Sequence, residues 1–354
     1  MMKSLYETQY HRNGQVTCEI EKSNGNTKSN SLLKEGSINL YIKMSCPLKG
    51  IVERAIREFV ALYNASHSVP IYSPMFRQVN ISAIDAELKS AHLEAQLPDV
   101  LIASELDTLF SGKLREKFID TGIYTGITSK AALTAMPETF RKLATQHNIG
   151  ILAAGYWRAL YDLTIAVCTP PPRRWTDLID PLYKDLITVH DCRGKTSITT
   201  LLILLKEQFG SNAVTDFARN IRSIRHFSEI LRRIDSNEIY RTPYNILPNA
   251  SIVQMQSQKR AIVLEFEDGP VLSPMFMFVK TSKLEDCKPL VDFFHSNIMR
   301  DALVRSGFSF AEDIHWQKPF LFPSWDYLLS KDYETCTAAL DDELKSSLRH
   351  DVFH

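Results

Sequence analysis

No net charge marks this chain: 41 Lys+Arg stand against 41 Asp+Glu in 354 residues. It therefore has no overall field to draw in a phosphate backbone or an anionic lipid surface, and nucleic acid is excluded as the expected partner. It lacks any uninterrupted apolar run of roughly 18 residues, so no membrane-inserting span is expected. Its six cysteines, Cys18, Cys46, Cys168, Cys192, Cys287 and Cys336, show no CxxC spacing. That excludes a zinc knuckle and fits reduced thiols. The ten histidines include no HExxH pair, and His190, His226, His295 and His315 lie too far apart for helical ligand spacing, so neither a metal nor another cofactor is expected. No apolar run follows the opening Met1-Met2-Lys3. The expected location is therefore cytoplasmic, or extracytoplasmic if the natural N-terminus differs or export is non-standard.

With 44% apolar and 23% charged residues, the composition is that of a globular chain able to bury a real core, not a collagen-like or disordered one. The length exceeds the usual size of a single core and favours two lobes. Polar residues up to Gly36 read as a leader. A β–turn–α start follows: strand Ile38–Ile42, turn Ser45-Cys46-Pro47, then a helix with apolar Ile51, Ala55, Ile56, Phe59, Val60 and Tyr63. A strand near 71–79, a helix near 84–95 and the apolar strand Pro98–Ala103 continue the alternation, which predicts an α/β fold with its sheet covered on both faces.

Residues 150–168 form a long apolar run with Arg158 and Asp162 inside it, suited to a strand passing between lobes. Beyond it the pattern predicts a strand at 186–190, a helix at 196–209 closed by Gly210, and helices at 213–224 and 227–234. Strands at 261–266 and 275–280 and a helix at 287–304 complete the reading. The expected organisation is a leader over 1–36, a first lobe over 37–158, a second lobe over 159–264, and a return with a helical tail over 265–354.

In such sheets ligand groups gather outside the strand carboxyl ends. Ser45 and Cys46 follow the first strand, Ser104 and Glu105 follow the strand ending at Ala103, and Lys195, Thr196 and Ser197 open the helix after His190. Free N–H groups at that helix start suit a carboxylate or phosphate, although simple capping explains the same residues equally well. The run Val189-His190-Asp191-Cys192-Arg193-Gly194-Lys195-Thr196 is close to a phosphate-cradling loop but has Val189 where the first glycine belongs. Cys46 reads as a small buried thiol or, with His226, as a nucleophile and base. His226 falls between two expected helices. Arg219, Arg222 and Arg225, spaced by three, read as a helical stripe that is solvated or attracts an anion. Tyr156, Tyr161, Tyr240 and Tyr244 are oxygen donors for a ferric ion or, more simply, core and hinge residues.

Three stretches then stand out in order. Trp175-Thr176-Asp177-Leu178-Ile179-Asp180-Pro181-Leu182-Tyr183-Lys184 leads to a strand, Glu267-Asp268-Gly269-Pro270 precedes a returning strand, and a helix near 289–297 is backed by Ala302–Phe308. Together they resemble the class II two-lobed solute-binding proteins of ABC transporters, the group with iron, polyamine and thiamine binders. The resemblance implies a two-lobed periplasmic-binding-protein-like fold, each lobe a central mixed sheet flanked by helices, joined by hinge strands. It also implies a non-enzymatic, monomeric protein that closes on a small polar or anionic solute and serves an ABC permease. Ser45, Cys46, Ser104, Tyr156, Lys195, Thr196, Ser197 and His226 are then the candidate ligand-binding residues. The adjacent tyrosine pair familiar in ferric binders is missing. Other readings of the same scaffold are a cytoplasmic sensing or interaction module and a Cys/His enzyme.

Overall fold

Eleven strands are found among the residues described by the computed structural model, which are 31–44, 48, 50–76, 81–104, 106–190, 198–236, 238, 241–255 and 259–348. They are β1 Ile38–Lys43, β2 Ile71–Tyr72, β3 Val100–Ala103, β4 Tyr124–Gly126, β5 Ile151–Asp162, β6 Ile187–His190, β7 Ile221–Arg225, β8 Tyr244–Pro248, β9 Ala261–Val263, β10 Val271–Lys280 and β11 Ser309–Phe310. All join one mixed sheet along the path β2-β1-β3-β10-β5-β8-β6-β7, with β4 on β10 and β9 and β11 on β5.

The path divides at β5, whose twelve residues are nearly all buried. On one side β1 lies parallel to β2 and β3, and β10 runs antiparallel to β3 and β5. On the other, β8 runs antiparallel to β5 and parallel to β6, which is parallel to β7. Parallel neighbours require crossover helices, and the chain supplies them: Ile51–Ser66 between β1 and β2, and Thr199–Phe209 and Ala213–Asn220 between β6 and β7, while Phe227–Ser236 leads from β7 back past β6 to β8. The result is a two-lobed α/β fold in which β5 belongs to both halves.

Several elements differ from the sequence reading. Of the strand expected over 71–79, the described part is two residues of strand followed by a tight turn at Pro74–Phe76, and 77–79 lie outside the described residues. The helix expected over 213–224 stops at Asn220, and the next five residues form β7. Phe217, Ala218, Ile221 and Ile224 fit a helical stripe, but hydrogen bonding to the open edge of β6 prevails. The arginine stripe is thereby broken, with Arg219 on a helix and Arg222 and Arg225 on a strand. The helix expected over 287–304 is two helices, Lys288–Phe294 and Asn297–Arg305, and Ser296 caps the second by accepting from the Met299 amide.

Residues 1–30 of the expected leader lie outside the described residues. Leu32, within that same stretch, is buried, its amide donating to Glu87 Oε2 at 3.1 Å. Cys168, Cys287 and Cys336 are free thiols. Among the described residues no helix is long and apolar enough to cross a membrane.

Candidate functional site

Two antiparallel segments connect the halves. One is β5, and the other is the return from β9 through Glu265–Pro270 into β10. The Leu264 amide donates to Ala159 O at 2.8 Å, and Arg158 pairs with Glu265 at 2.8 Å. The two most specific sequence motifs meet on this return. The buried indole N–H of Trp175 donates to Gly269 O at 2.8 Å, the Trp175 amide donates to Asp268 Oδ2 at 3.2 Å, and Arg174 pairs with Glu267 at 2.8 Å. Gly269 is required twice over: its φ is +78°, and a Cβ there would stand 1.9 Å from Pro319 O. Asn220 holds the other end of the tryptophan motif, its amide donating to Leu178 O at 2.8 Å and Asp180 O at 2.7 Å.

By register the end of β3 at Ala103 lies opposite Phe276 and, through it, the start of β5 at Ile151, and a contact between Ser104 and Ser273 carries it on to Gly155. On the first side Ser104, just past β3, is tied to the end of β1 by its N–H, which donates a hydrogen bond to Lys43 O at 3.1 Å. Its own carbonyl accepts from Ser273 Oγ at 3.4 Å, and Ser273 pairs with Gly155. On the second side Pro248, which ends β8, pairs with Trp157. His190, which ends β6, stacks on Trp157 with centroids 6.2 Å apart, and His226, just past β7, lies 5.6 Å from His190. Ser104, Ser273, Trp157, His190 and His226 thus lie along one seam, joined through Gly155 and Trp157 of β5. Gly155 at its centre leaves room for the Phe308 ring, which a Cβ would meet at 2.8 Å.

Of the expected ligand residues, Ser104 is buried and His226 half-buried at this seam, and Tyr156, also half-buried, stands between Gly155 and Trp157 on β5, where strand alternation turns it to the face opposite Trp157. His226 does not lie between two helices: it follows β7 and so occupies the same kind of strand-end position as Ser104. Its Nδ1 is 2.8 Å from Ser228 Oγ. Burial pushes the Tyr156 phenol above its ordinary range, against the opposing pull of its hydrogen bond with Ser309 and of Arg158, whose guanidinium lies 5.8 Å over the ring. Ser45, Cys46, Lys195, Thr196 and Ser197 lie outside the described residues, as does Tyr240.

Tyr244 is a core residue, and Tyr161, half-buried, packs against it. Their rings stack at 5.3 Å, and Tyr183 meets Tyr244 edge-on at 5.6 Å. Tyr244 pairs with Ile187 at the amino end of β6, away from the seam. Its hydroxyl donates to the carbonyls of Thr169 and Pro170, and burial raises its phenol to about 12. Such a group is a poor source of phenolate for a ferric ion. Among the described residues no group of three or more His, Cys, Asp and Glu is placed to hold a metal. A surface cavity of about 380 Å³, lined in part by Lys184, Asp216, Arg219 and Asn220, lies at the amino ends of β6 and β7 and is separate from the seam.

Sequence reasoning missed Trp157, His190 and Ser273 as seam residues. Trp157 and His190 were within reach, one on the expected crossing and the other at a predicted strand end. Ser273 was not, because β10 runs antiparallel and contributes its amino end.

Behind Ser104 sits a network of four charges. Lys43 pairs with Asp85 at 3.4 Å and Asp107 at 3.1 Å, Lys89 pairs with Asp107 at 3.1 Å, and Ser111 Oγ donates to Asp107 at 2.6 Å. Burial alone would push the Asp107 carboxyl up, but Lys43, Ser111 and Lys89 outweigh it and hold the carboxyl at about 2. A depressed carboxyl stabilises the fold fully above its unfolded value and ceases to do so as pH falls through the folded one. Part of the stability is therefore expected to disappear between about pH 4 and pH 2. Denaturation of Asp107→Asn at several pH values should show a lower stability near neutrality and a flatter response across that window.

A sequence profile of the family described as bacterial extracellular solute-binding protein matches residues 95–331, well over half of the chain. The chain belongs to this family. No curated protein matches the sequence. In fold, this solute-binding protein is similar to the ferric binding protein from Campylobacter jejuni, with 14% identity over 86% of this chain and 99% of that one and a TM-score of 0.59. It is similar to the apo ferric ion-binding protein A of Pasteurella haemolytica, with 14% identity, 89% and 99% coverage and a TM-score of 0.61. A third is the periplasmic binding protein AfuA from Actinobacillus pleuropneumoniae, with exogenous fructose-6-phosphate bound, at 14% identity, 88% and 99% coverage and a TM-score of 0.59. These likenesses establish the two-lobed periplasmic-binding-protein fold. The family and these neighbours are binding proteins, and the family's description as extracellular lends no support to the cytoplasmic expectation.

Proposed function

We propose that this solute-binding protein captures a small polar or anionic solute between its lobes, closes on it by bending at the crossings, and presents it to an ABC permease as a monomer. The lobes are taken as residues 37–158 with the return from 265, and residues 159–264. The observation that supports the reading is that Ser104 from the first half reaches Ser273 opposite Gly155, while Pro248 and His190 from the second half meet Trp157, two residues further along the same strand. In an α/β sheet strand carboxyl ends are where backbone N–H groups and short polar side chains are free to meet a ligand. A ligand that touches both sets favours the closed form by its extra contacts there.

In this reading Ser104 serves the first lobe, Tyr156 the crossing and His226 the second lobe. Ser45, Cys46, Lys195, Thr196 and Ser197 join them from the segments that follow β1 and β6 in sequence. No bond is made or broken, so catalysis is not part of the proposal. The family's extracellular description supports a place outside the cytoplasm.

Thermal denaturation with inorganic phosphate, fructose 6-phosphate, simple carboxylates and ferric ion as separate probes tests this reading. A bound solute raises the melting temperature by mass action. At least one anionic probe is expected to do so, and His226→Ala and Thr196→Ala should each weaken it about fivefold, the worth of a hydrogen bond of about 1 kcal/mol. No shift with any probe, together with no small molecule in gently purified protein, would sink the proposal.

A further inference from the structure

Past β11 the chain runs across both lobes. On the first lobe, Trp316, Phe320 and Phe322 surround the Phe140 ring at 5.0, 5.5 and 5.4 Å. Trp325 and Tyr333 lie against Phe110 at 5.5 and 5.1 Å. At the return crossing, Leu321 donates its amide to Pro270 O at 2.9 Å and accepts from the Leu272 amide at 2.8 Å. On the second lobe, the Ser324 amide donates to Glu207 Oε2 at 2.9 Å and its hydroxyl donates to the same carboxylate. Lys206 pairs with Glu343 at 2.6 Å, and Thr215 Oγ1 donates to Glu343 at 3.2 Å.

The attachment points are specific. Phe110 ends the helix Leu106–Phe110, which follows Ser104, whereas Lys206 and Glu207 belong to the helix Thr199–Phe209, which follows the 191–197 segment. One segment therefore grips both helices that leave the candidate binding loops, one from each lobe. It also clasps the crossing about which the lobes would turn. Any relative rotation of the halves must either carry this segment along with one lobe or break its contacts with the other.

We infer that residues 316–348 act as a strap that sets the open–closed balance of the lobes, with Phe110 and Glu207 as positioning residues. Its effect on affinity rests on the proposed interlobe binding, since a ligand that needs the closed form binds more weakly in proportion to how rarely that form is populated. The mechanical part does not, because it concerns the ligand-free protein.

Spin labels introduced through non-cysteine chemistry at Leu62 on the first lobe and Leu182 on the second, both exposed, report the interlobe distance in the full-length, ligand-free chain. Glu207→Ala removes the acceptor for Ser324 and is expected to shift and broaden the distance distribution. Ser324→Ala keeps the backbone donor and should shift it less, in the same direction. Lys288→Ala, which breaks a surface pair with Asp292 away from the strap, is the control and should leave the distribution unchanged. Superimposable distributions for wild type, Glu207→Ala and Ser324→Ala would overturn the inference, as would an equal shift in the control. Should Glu207→Ala fail to give a native circular dichroism spectrum, Ser324→Ala decides alone. Any probe that raises the wild-type melting temperature should bind Glu207→Ala with severalfold altered affinity. If none does so, the binding reading fails while the distance measurement still judges the strap.

Discussion

Asp162→Ala is expected to lower the unfolding free energy by about 3–5 kcal/mol, the range for breaking a buried ion pair from one side. Asp162 ends β5 with no exposed surface, and its carboxylate accepts from the Thr164 amide at 2.9 Å, from Thr164 Oγ1 at 2.6 Å and from Arg241 at 2.5 Å. The Arg241 side chain is itself nearly inaccessible, so water cannot readily replace the carboxylate. The desolvation cost of the remaining guanidinium, rather than the Coulomb attraction lost, dominates the effect. Asp162→Asn keeps an acceptor for Thr164 and a neutral hydrogen-bonding partner for Arg241, and should cost clearly less. Urea denaturation followed by circular dichroism separates the two. A loss below about 1 kcal/mol for Asp162→Ala, the level of an exposed pair, would mean that Asp162 does not anchor the end of the crossing.

Trp175→Ala should be comparably severe, about 3–5 kcal/mol for a fully buried tryptophan whose cavity cannot collapse. The ring packs edge-on against Phe266 at 4.9 Å, and its N–H satisfies the Gly269 carbonyl. The damage is therefore expected at the return crossing rather than spread over the molecule. Trp175→Phe retains most of the apolar contact but leaves Gly269 O without its indole donor. Its cost should be about 1–3 kcal/mol, that of an unsatisfied buried polar group. Limited proteolysis provides the local readout, with cleavage between residues 264 and 270 expected to accelerate in Trp175→Ala well beyond what global unfolding explains. Unchanged cleavage there would remove the motif's role as the clamp on this segment.

Much of the architecture was legible in the residues. The long apolar run over 150–168 predicted a crossing strand, and β5 occupies Ile151–Asp162 of it with most of its positions buried. The tryptophan and Glu267-Asp268-Gly269-Pro270 stretches were singled out as sequence patterns, and the fold shows why they belong together: one binds the other. Errors arose where local pattern and long-range pairing disagreed. The residues Ile221, Ile224 and their neighbours satisfy a helix or a strand equally well, and only the free edge of β6 decides between them. Likewise the apolar positions over 287–304 fit one helix, but Ser296 starts a new one.

By itself the sequence determined the α/β rhythm, the extended crossing and the order of motifs, because each depends on periodicity and turn chemistry within a few tens of residues. Only the tertiary structure decided that Ser104, Ser273, Trp157, His190 and His226 are neighbours. These residues come from five separate stretches of chain, and their proximity follows from hydrogen-bond register across β10, β5 and β8. A one-residue slip in that register would turn the side chains to opposite faces, and no local pattern records it.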